Sequence, residues 1–193
     1  MNRSNSTISI PNLLTLARIL LTPVLVILLL RDLFHLALLV FFIAGLSDGL
    51  DGLIARVLNQ RTKLGAYLDP AADKLLLTSA FVTLAALQVV PAWLAVLVIA
   101  RDVIIVMGLA IFTLTEKPYE INPTMLSKCT TTIQLGMVLL SLFDPAHAKV
   151  VVLHPILVWS TAALTILSGL HYIVIGMNIL QEPNNQRNDT EQP

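Results

Sequence analysis

Residues 47–74 of the chain read SDGLDGLIARVLNQRTKLGAYLDPAADK. Four aspartates fall in this stretch, which joins two long apolar segments: Asp48, Asp51, Asp69 and Asp73. An aspartate inside a membrane helix costs about 2.5–3.5 kcal/mol on insertion scales, and neighbouring carboxylates also repel one another. A group of four acids between apolar segments therefore indicates a site that binds positively charged groups.

The composition of the whole chain is typical of a polytopic membrane protein. Of 193 residues, 56% are hydrophobic and 12% are charged, and the mean hydropathy is +0.81. A water-soluble domain has about twice that fraction of charged residues. Lys and Arg together number 12 and form no basic stripe, so we expect no nucleic-acid partner.

Six segments are apolar enough to cross a bilayer, which takes about 20 mainly apolar residues. They predict helices over residues 12–30, 33–55, 67–90, 92–114, 126–143 and 153–179. The sequence therefore predicts an all-α fold with six transmembrane helices, in one membrane domain over residues 1–180. Residues 181–193 are polar and are expected to form a disordered tail.

The basic residues predict the orientation of the chain in the membrane. Two of them, Arg31 and Lys149, fall in the loops opposite the N-terminus. Seven fall on or near the N-terminal side: Arg3, Arg56, Arg61, Lys63, Lys117, Lys128 and Arg187. Because six crossings return the chain to its starting side, both termini and the acidic stretch are expected to face the cytoplasm.

Helical spacing divides the four aspartates into two pairs. Asp48 and Asp51 are three residues apart near the end of the second predicted helix, and Asp69 and Asp73 are four apart near the start of the third. Residues at these spacings share a helix face, so a hairpin can bring both pairs together. Oxygen ligands without nearby His or Cys favour a hard divalent ion. We therefore predict Mg²⁺ or Mn²⁺, with room for two ions.

Small residues accompany the acids on the matching helix faces. Gly52, Ala55 and Gly65 leave space in which a phosphate-bearing group can approach the backbone. Arg56 lies one turn beyond Gly52 and can bind a phosphate or pair with one of the acids. These positions therefore favour a pocket for a phosphorylated ligand beside the acids.

Each acid taken alone also has a structural alternative. Asp69 can cap the third helix, with Pro70 in its first turn. Asp48 and Asp51 can be charges at the level of the lipid headgroups. The four acids taken together, with small residues on the matching faces, favour a binding site over these alternatives.

The fixed positions of the stretch form the pattern D-x2-D-G-x2-A-R-x8-G-x3-D-x3-D. This pattern resembles the signature of the CDP-alcohol phosphatidyltransferases, with every fixed position filled. Three segments also resemble bacterial phosphatidylglycerophosphate synthases: IPNLLTLAR at 10–18, GAYLDPAADK at 65–74 and SKCTTTIQ at 127–134. The resemblance therefore extends over most of the chain.

This resemblance implies a six-helix integral membrane enzyme of phospholipid biosynthesis that forms a homodimer, here in a bacterial inner membrane. Such enzymes transfer the phosphatidyl group of CDP-diacylglycerol to a hydroxyl acceptor and release CMP. The resemblance implies that two divalent ions bind Asp48, Asp51, Asp69 and Asp73 and hold the CDP pyrophosphate. It makes Asp73 the catalytic base that deprotonates the acceptor hydroxyl. It also implies a nucleotide pocket shaped by Gly52, Ala55, Arg56 and Gly65.

An anionic acceptor requires cations near the acids. Arg101 in the fourth helix and Lys128 at the start of the fifth are the candidates. Arg101 can instead pair with Asp102 or another acid, and Lys128 can extend to the headgroups. We expect glycerol 3-phosphate as the acceptor, narrowly over phosphatidylglycerol. The alternative arises because PTMLSKCTTTIQL and ARDV resemble cardiolipin synthases of the eukaryotic type, which share the signature.

Helix one contributes a further group of candidate pocket residues. Arg18 lies about two turns from the start of this helix, with Asn12 and Thr15 on the same side. Arg18 either faces the nucleotide end of the site or extends to the cytoplasmic headgroups. The sequence leaves both possibilities open.

A non-enzymatic alternative is a small cation transporter or channel, because such proteins also place carboxylates inside the bilayer. Transport sites tend to lie near the bilayer midplane on broken helices. The four acids here lie together at one predicted membrane face, beside a basic loop. Their position therefore favours the enzyme.

Overall fold

The computed structural model describes the backbone of residues 10–57, 63–114, 124–143 and 153–181, and the side chains of residues 15–47, 72–108, 124–143 and 153–178. In this part of the chain there are six α-helices and no strands. They are α1 (Ile10–Leu30), α2 (Phe34–Val57), α3 (Lys63–Ala86), α4 (Ala92–Leu114), α5 (Met125–Phe143) and α6 (Leu153–Gln181). The prediction of an all-α fold is confirmed. Residues 182–193 of the predicted tail lie outside the described residues.

Helix α3 differs most from its expected bounds, because it begins at residue 63 rather than 67 and ends at 86 rather than 90. Its first turn contains Lys63 and Gly65, which a search for apolar runs passes over. Asp69 lies in the second turn of α3. The alternative in which Asp69 caps this helix, with Pro70 in its first turn, is therefore wrong.

The end of α3 is fixed by a Schellman motif rather than by the end of the apolar run. Gln88 has a φ of 59°, and its N–H donates to the carbonyl of Ala85 at 3.0 Å. The N–H of Val89 donates to the carbonyl of Leu84 at 2.9 Å, and both of these side chains are buried. The left-handed residue stops the helix while the apolar sequence continues. Asp32, with a φ of 58°, is the corresponding left-handed residue at the end of α1.

Replacing Gln88 with glycine is expected to stabilise the protein relative to Gln88→Ala by about 1 kcal/mol. Glycine has no Cβ to oppose the left-handed conformation, whereas alanine keeps that cost and removes the same side chain. Thermal unfolding of the detergent-purified variants, followed by tryptophan fluorescence, measures the difference. A lower midpoint for the glycine variant than for the alanine variant would contradict the role of the motif.

The helices pack in two groups of three. Helix α1 packs on α2 and α3, and α6 packs on α4 and α5. The two groups meet mainly where α3 contacts α4 and where α2 contacts α5. Within the described residues, α2 and α3 contact each other much less than each contacts α1. Helix α1 therefore joins the two helices that carry the acids.

Large apolar side chains are exposed on the outside of the bundle, whereas polar side chains are buried inside it. Leu20, Val96 and Trp159 are 63%, 64% and 69% exposed, and Arg18 is 1% exposed. A water-soluble protein has the opposite distribution, because exposed apolar surface is unfavourable in water but not in lipid. The surface of the bundle is therefore suited to a lipid environment.

Two helices of the described part are long and apolar enough to cross a membrane, namely Met125–Phe143 and Leu153–Asn178. The described apolar parts of α1 and α2 are shorter and cover Thr15–Leu30 and Phe34–Ser47. Helix α3 carries charged residues along its first half, which lowers its hydropathy. The number of membrane crossings stays a prediction.

Candidate functional site

The four aspartates lie on two helices that both pack on α1. Asp48 and Asp51 belong to the second half of α2, and Asp69 and Asp73 belong to the first half of α3. Each pair lies within continuous helix, so its spacing places both positions on one helix face. The structure describes the side chain of Asp73. The other predicted site positions on α2 and α3 lie outside the described side chains: Asp48, Asp51, Gly52, Ala55, Arg56, Gly65 and Asp69.

Asp73 is held from inside the bundle and remains accessible from outside it. Its carboxylate accepts a hydrogen bond from Nη1 of Arg18, and the two groups form an ion pair between α3 and α1. The side chain of Arg18 is 1% exposed, whereas that of Asp73 is 41% exposed. A substrate hydroxyl can therefore approach a carboxylate whose position a buried guanidinium fixes.

Arg18 also contacts the helix that carries the other acid pair. Its Nε donates to the backbone carbonyl of Ala44 in α2, at 3.4 Å. Thr15, one turn earlier on α1, is fully buried, and the side chain of Asn12 lies outside the described part. Because the Arg18 side chain is buried, the alternative in which it extends to the headgroups is wrong.

A second polar cluster joins helices α3, α4, α5 and α6. Nη1 of Arg101 donates to Oδ1 of Asp102 at 2.7 Å, and its Nη2 donates to the hydroxyls of Ser127 and Ser168. Nζ of Lys74 lies 2.5 Å from the same Asp102 oxygen. We call these five residues the Arg101 cluster. The pairing of Arg101 with Asp102, which the sequence offered as the structural alternative to acceptor binding, is present.

The Arg101 cluster adjoins the acid motif and contains one buried donor without a partner. Lys74 directly follows Asp73 in α3, so the cluster begins one residue from the candidate base. Arg101 is 4% exposed, and in the described part of the chain its Nε has no hydrogen-bond partner. A buried donor without a partner costs about 1–3 kcal/mol. An anionic oxygen bound at this nitrogen would remove that cost.

Sequence reasoning did not assign a role to three members of the cluster, namely Lys74, Ser127 and Ser168. Ser127 begins the segment SKCTTTIQ at 127–134, whose resemblance to other synthases is the sequence signal that could have identified it. Ser168 lies on the buried face of α6. Lys128 is exposed and makes no ion pair with any described side chain. The structure therefore brings Ser127, rather than Lys128, to Arg101.

The described residues are compatible with a divalent ion at the acid motif. Three of the four acids fall outside the described side chains, and among the described ones no three His, Cys, Asp or Glu side chains come together. The carboxylate of Asp73 is exposed, and carboxylate oxygens are the ligands that Mg²⁺ and Mn²⁺ prefer. Arg18 pairs with this carboxylate from the interior, as an outer-shell residue would.

The C-terminal end of α3 is lined by aromatic side chains, whereas its N-terminal half carries the acids. A cavity of about 370 Å³ lies beside the turn at residues 87–91, and its lining includes Trp93, His154 and Trp159. The two indole rings lie 5.6 Å apart between centroids, at 41°. At a helical rise of about 1.5 Å per residue, this turn lies about 20 Å from Asp73 along α3. Tryptophan is enriched at membrane interfaces, so this end is suited to the second membrane surface.

Comparison with known proteins assigns this chain to a family. The family model described as CDP-alcohol phosphatidyltransferase matches residues 8–167. The chain is 35% identical over 190 residues to the cardiolipin synthase (CMP-forming) of Homo sapiens, covering 90% of this chain and 63% of the human protein. It is 31% identical over 193 residues to the CDP-diacylglycerol–glycerol-3-phosphate 3-phosphatidyltransferase of Bacillus subtilis, covering 91% of this chain and 99% of that protein.

The chain covers different fractions of the lengths of its relatives. A probable phosphatidylglycerophosphate synthase of Mycobacterium tuberculosis is 30% identical over 172 residues, covering 86% of this chain and 80% of that protein. The chain spans less than two thirds of the human protein and nearly all of the Bacillus subtilis protein. Relatives with three different names therefore each match most of this chain.

Proposed function

Because the chain belongs to the CDP-alcohol phosphatidyltransferase family, we propose that it transfers the phosphatidyl group of CDP-diacylglycerol to a glycerol-type acceptor and releases CMP, as a step of phospholipid biosynthesis. The observation that carries this proposal is the Asp73 carboxylate, which a buried arginine holds while 41% of its side chain stays exposed. A general base needs this combination of fixed position and access to the reacting hydroxyl.

Asp73 acts as the base in the proposed reaction. Its carboxylate accepts the proton of the acceptor hydroxyl, whose oxygen then forms a bond to the β-phosphorus, the phosphorus atom that bears the diacylglycerol. The bond between this phosphorus and the bridging pyrophosphate oxygen breaks, and CMP leaves with the bonding electron pair. Arg18 holds the carboxylate in place from the interior of the bundle.

Asp48, Asp51, Asp69 and Asp73 hold two divalent ions, Mg²⁺ or Mn²⁺, in this proposal. The use of divalent metals is general in the family, and the oxygen-only donor set of the motif supports such ions here. When bound, the ions neutralise the charge of the pyrophosphate and of the departing CMP. Gly52, Ala55, Arg56 and Gly65 shape the pocket for the nucleotide, and Thr15 and Asn12 of α1 border it.

The Arg101 cluster binds the acceptor in this proposal. The unpaired Nε of Arg101 supports this role, because it is a buried donor for a phosphate oxygen in a cluster that includes Lys74, the residue after the base on α3. Ser127 and Ser168 orient the guanidinium by accepting hydrogen bonds from Nη2. A role of Lys128 in acceptor binding stays a prediction.

Glycerol 3-phosphate is the first candidate acceptor. The chain covers 99% of the Bacillus subtilis enzyme, whose name includes this acceptor, and a phosphate monoester suits the buried Arg101 donor. Phosphatidylglycerol is the second candidate, because the identity to the human cardiolipin synthase, 35%, is higher than the 31% to the Bacillus subtilis enzyme. Both acceptors present a glycerol hydroxyl and a phosphate.

The proposed enzyme is a multi-pass protein of a bacterial inner membrane, with both termini and the acids on the cytoplasmic side, and it works as a homodimer. The exposed apolar surface and the tryptophans at the far end of α3 support a membrane orientation with the acids at one face. The basic residues near the acids support the cytoplasmic side for this face. A lipid donor with a water-soluble headgroup reacts at such a boundary.

An assay of CMP release tests the proposed function. The purified protein in detergent receives CDP-diacylglycerol and Mg²⁺ or Mn²⁺, with glycerol 3-phosphate, phosphatidylglycerol, inositol phosphate or serine in separate reactions. We expect CMP and a lipid product with one glycerol-type acceptor, and loss of both after chelation with EDTA. Absence of CMP with every acceptor, together with cation flux through proteoliposomes, would instead support the transporter alternative.

A further inference from the structure

Arg18 connects the three helices around the acid motif through one buried side chain. It extends from α1, donates through Nη1 to the Asp73 carboxylate of α3 and donates through Nε to the Ala44 carbonyl of α2. Among the fully buried side chains of the described part, it is the largest. A guanidinium in such a place requires hydrogen-bond acceptors, because an unpaired buried charge is strongly destabilising.

These contacts of Arg18 with α2 and α3 lie next to both acid pairs. Ala44 precedes Asp48 by four residues, which is about one turn of α2. Asp73 is itself the last acid of the α3 pair. Both α2 and α3 pack on α1, so contacts made through α1 contribute to the distance between the acid pairs. Arg18 provides a polar contact of this kind to both helices.

We propose that Arg18 is a positioning residue that fixes the separation and orientation of the two acid pairs and thereby sets the affinity of the site for divalent ions. This inference rests on the proposed function, in which Asp73 is both base and metal ligand. Arg18 acts through Asp73 and the α2 backbone and does not itself take part in the reaction. It is therefore distinct from the residues of the Arg101 cluster, which bind the acceptor.

Arginine is suited to this role for a geometric reason. The guanidinium is planar and presents donors in two fixed directions, so one side chain can hold a carboxylate and a carbonyl at once. A lysine keeps the charge but has a single ammonium group on a flexible stem, and it cannot reproduce both contacts at the same positions. Outer-shell residues of metal sites typically change metal affinity or activity by about 10- to 100-fold when they are replaced.

The test measures Mn²⁺ binding to the detergent-purified protein without any lipid substrate, by electron paramagnetic resonance of the free ion. We expect Arg18→Met to weaken Mn²⁺ binding about tenfold and Arg18→Lys to weaken it by at least about threefold. The loss in Arg18→Lys is informative because this variant keeps the charge beside Asp73. Thermal unfolding is measured on each variant, and Arg18→Lys serves as the test if Arg18→Met does not fold.

Arg31 provides the matched control, because it follows the last residue of the same helix and is exposed. Arg31→Lys and Arg31→Met are expected to bind Mn²⁺ as the unmodified protein does. Folded Arg18 variants with unchanged Mn²⁺ affinity would overturn the inference, even if their activity were lost, because Arg18 would then contact substrate instead. If the unmodified protein binds Mn²⁺ but releases no CMP, the proposed function fails, and the comparison of Arg18 variants still decides the positioning role.

Discussion

Asp73→Asn is expected to lower the rate of CMP release about a thousandfold, while the affinity for CDP-diacylglycerol falls much less. The amide keeps the size and an oxygen of the carboxylate, but it cannot accept the proton of the acceptor hydroxyl at neutral pH. General bases contribute about 10²- to 10⁴-fold to enzymatic rates, which sets the expected loss. Steady-state CMP release and equilibrium binding of CDP-diacylglycerol, measured on the same preparation, separate the two effects.

Asp32→Asn is the matched control for this prediction. Asp32 is an exposed aspartate in the turn after α1, so the same chemical change there is expected to leave turnover unchanged. Asp73→Glu retains a carboxylate at a longer reach and is expected to keep more activity than Asp73→Asn. Equal turnover and equal donor affinity in Asp73→Asn and the unmodified protein would refute the assignment of Asp73 as the base.

Arg101→Met is expected to lower kcat/KM for the acceptor about a hundredfold, chiefly through a higher KM. Truncating one partner of a buried, hydrogen-bonded charge pair costs about 2–5 kcal/mol, and about 2.7 kcal/mol corresponds to a hundredfold change. Arg101 pairs with Asp102 at 2.7 Å and holds the hydroxyls of Ser127 and Ser168. Its loss removes the donor offered to the acceptor phosphate, whereas the KM for CDP-diacylglycerol is expected to stay within a few fold.

The serine partners of Arg101 give a milder test of the same site. Ser168→Ala removes one acceptor of the Arg101 hydrogen bonds, at 3.3 Å, and is expected to raise the acceptor KM only a few fold. Arg31→Met serves as the control for loss of an arginine, because Arg31 is exposed at the end of α1. An Arg101→Met protein that melts normally and has an unchanged acceptor KM would show that the Arg101 cluster is only structural.

The helices of this protein are predictable from the sequence because they depend on local properties. An apolar run of about 20 residues favours a membrane helix wherever the rest of the chain lies. The predicted bounds of α4 match those of the structure, and those of α5 differ by one residue at its start. The bounds of α3 differ because its beginning contains polar and small residues, and because its end depends on the left-handed conformation of Gln88. Neither feature can be predicted from the spacing of apolar residues.

The acid motif was predictable for a similar reason, since its spacing on two helices is a local pattern. Among the partners of the buried charges, Asp102 was considered from the sequence because it adjoins Arg101, whereas the distant partners were not predictable in the same way. Arg101 meets Ser127, 26 residues away, and Ser168, 67 residues away. Periodicity states which face of a helix is polar, but it does not state which other helix packs against that face. The identification of Ser127 and Ser168 as partners of Arg101 therefore required the packed bundle.

The sequence by itself determined that this chain is helical, that it is apolar enough for a membrane and that it carries the acid pattern of a phosphatidyltransferase family. Only the tertiary structure decided that Arg18 is buried against Asp73 and the α2 backbone rather than extended to the headgroups. The physical reason is that helix formation follows from neighbouring residues. The pairing of a buried charge depends on helix faces that meet across the bundle, and residues 18 and 73 are 55 positions apart.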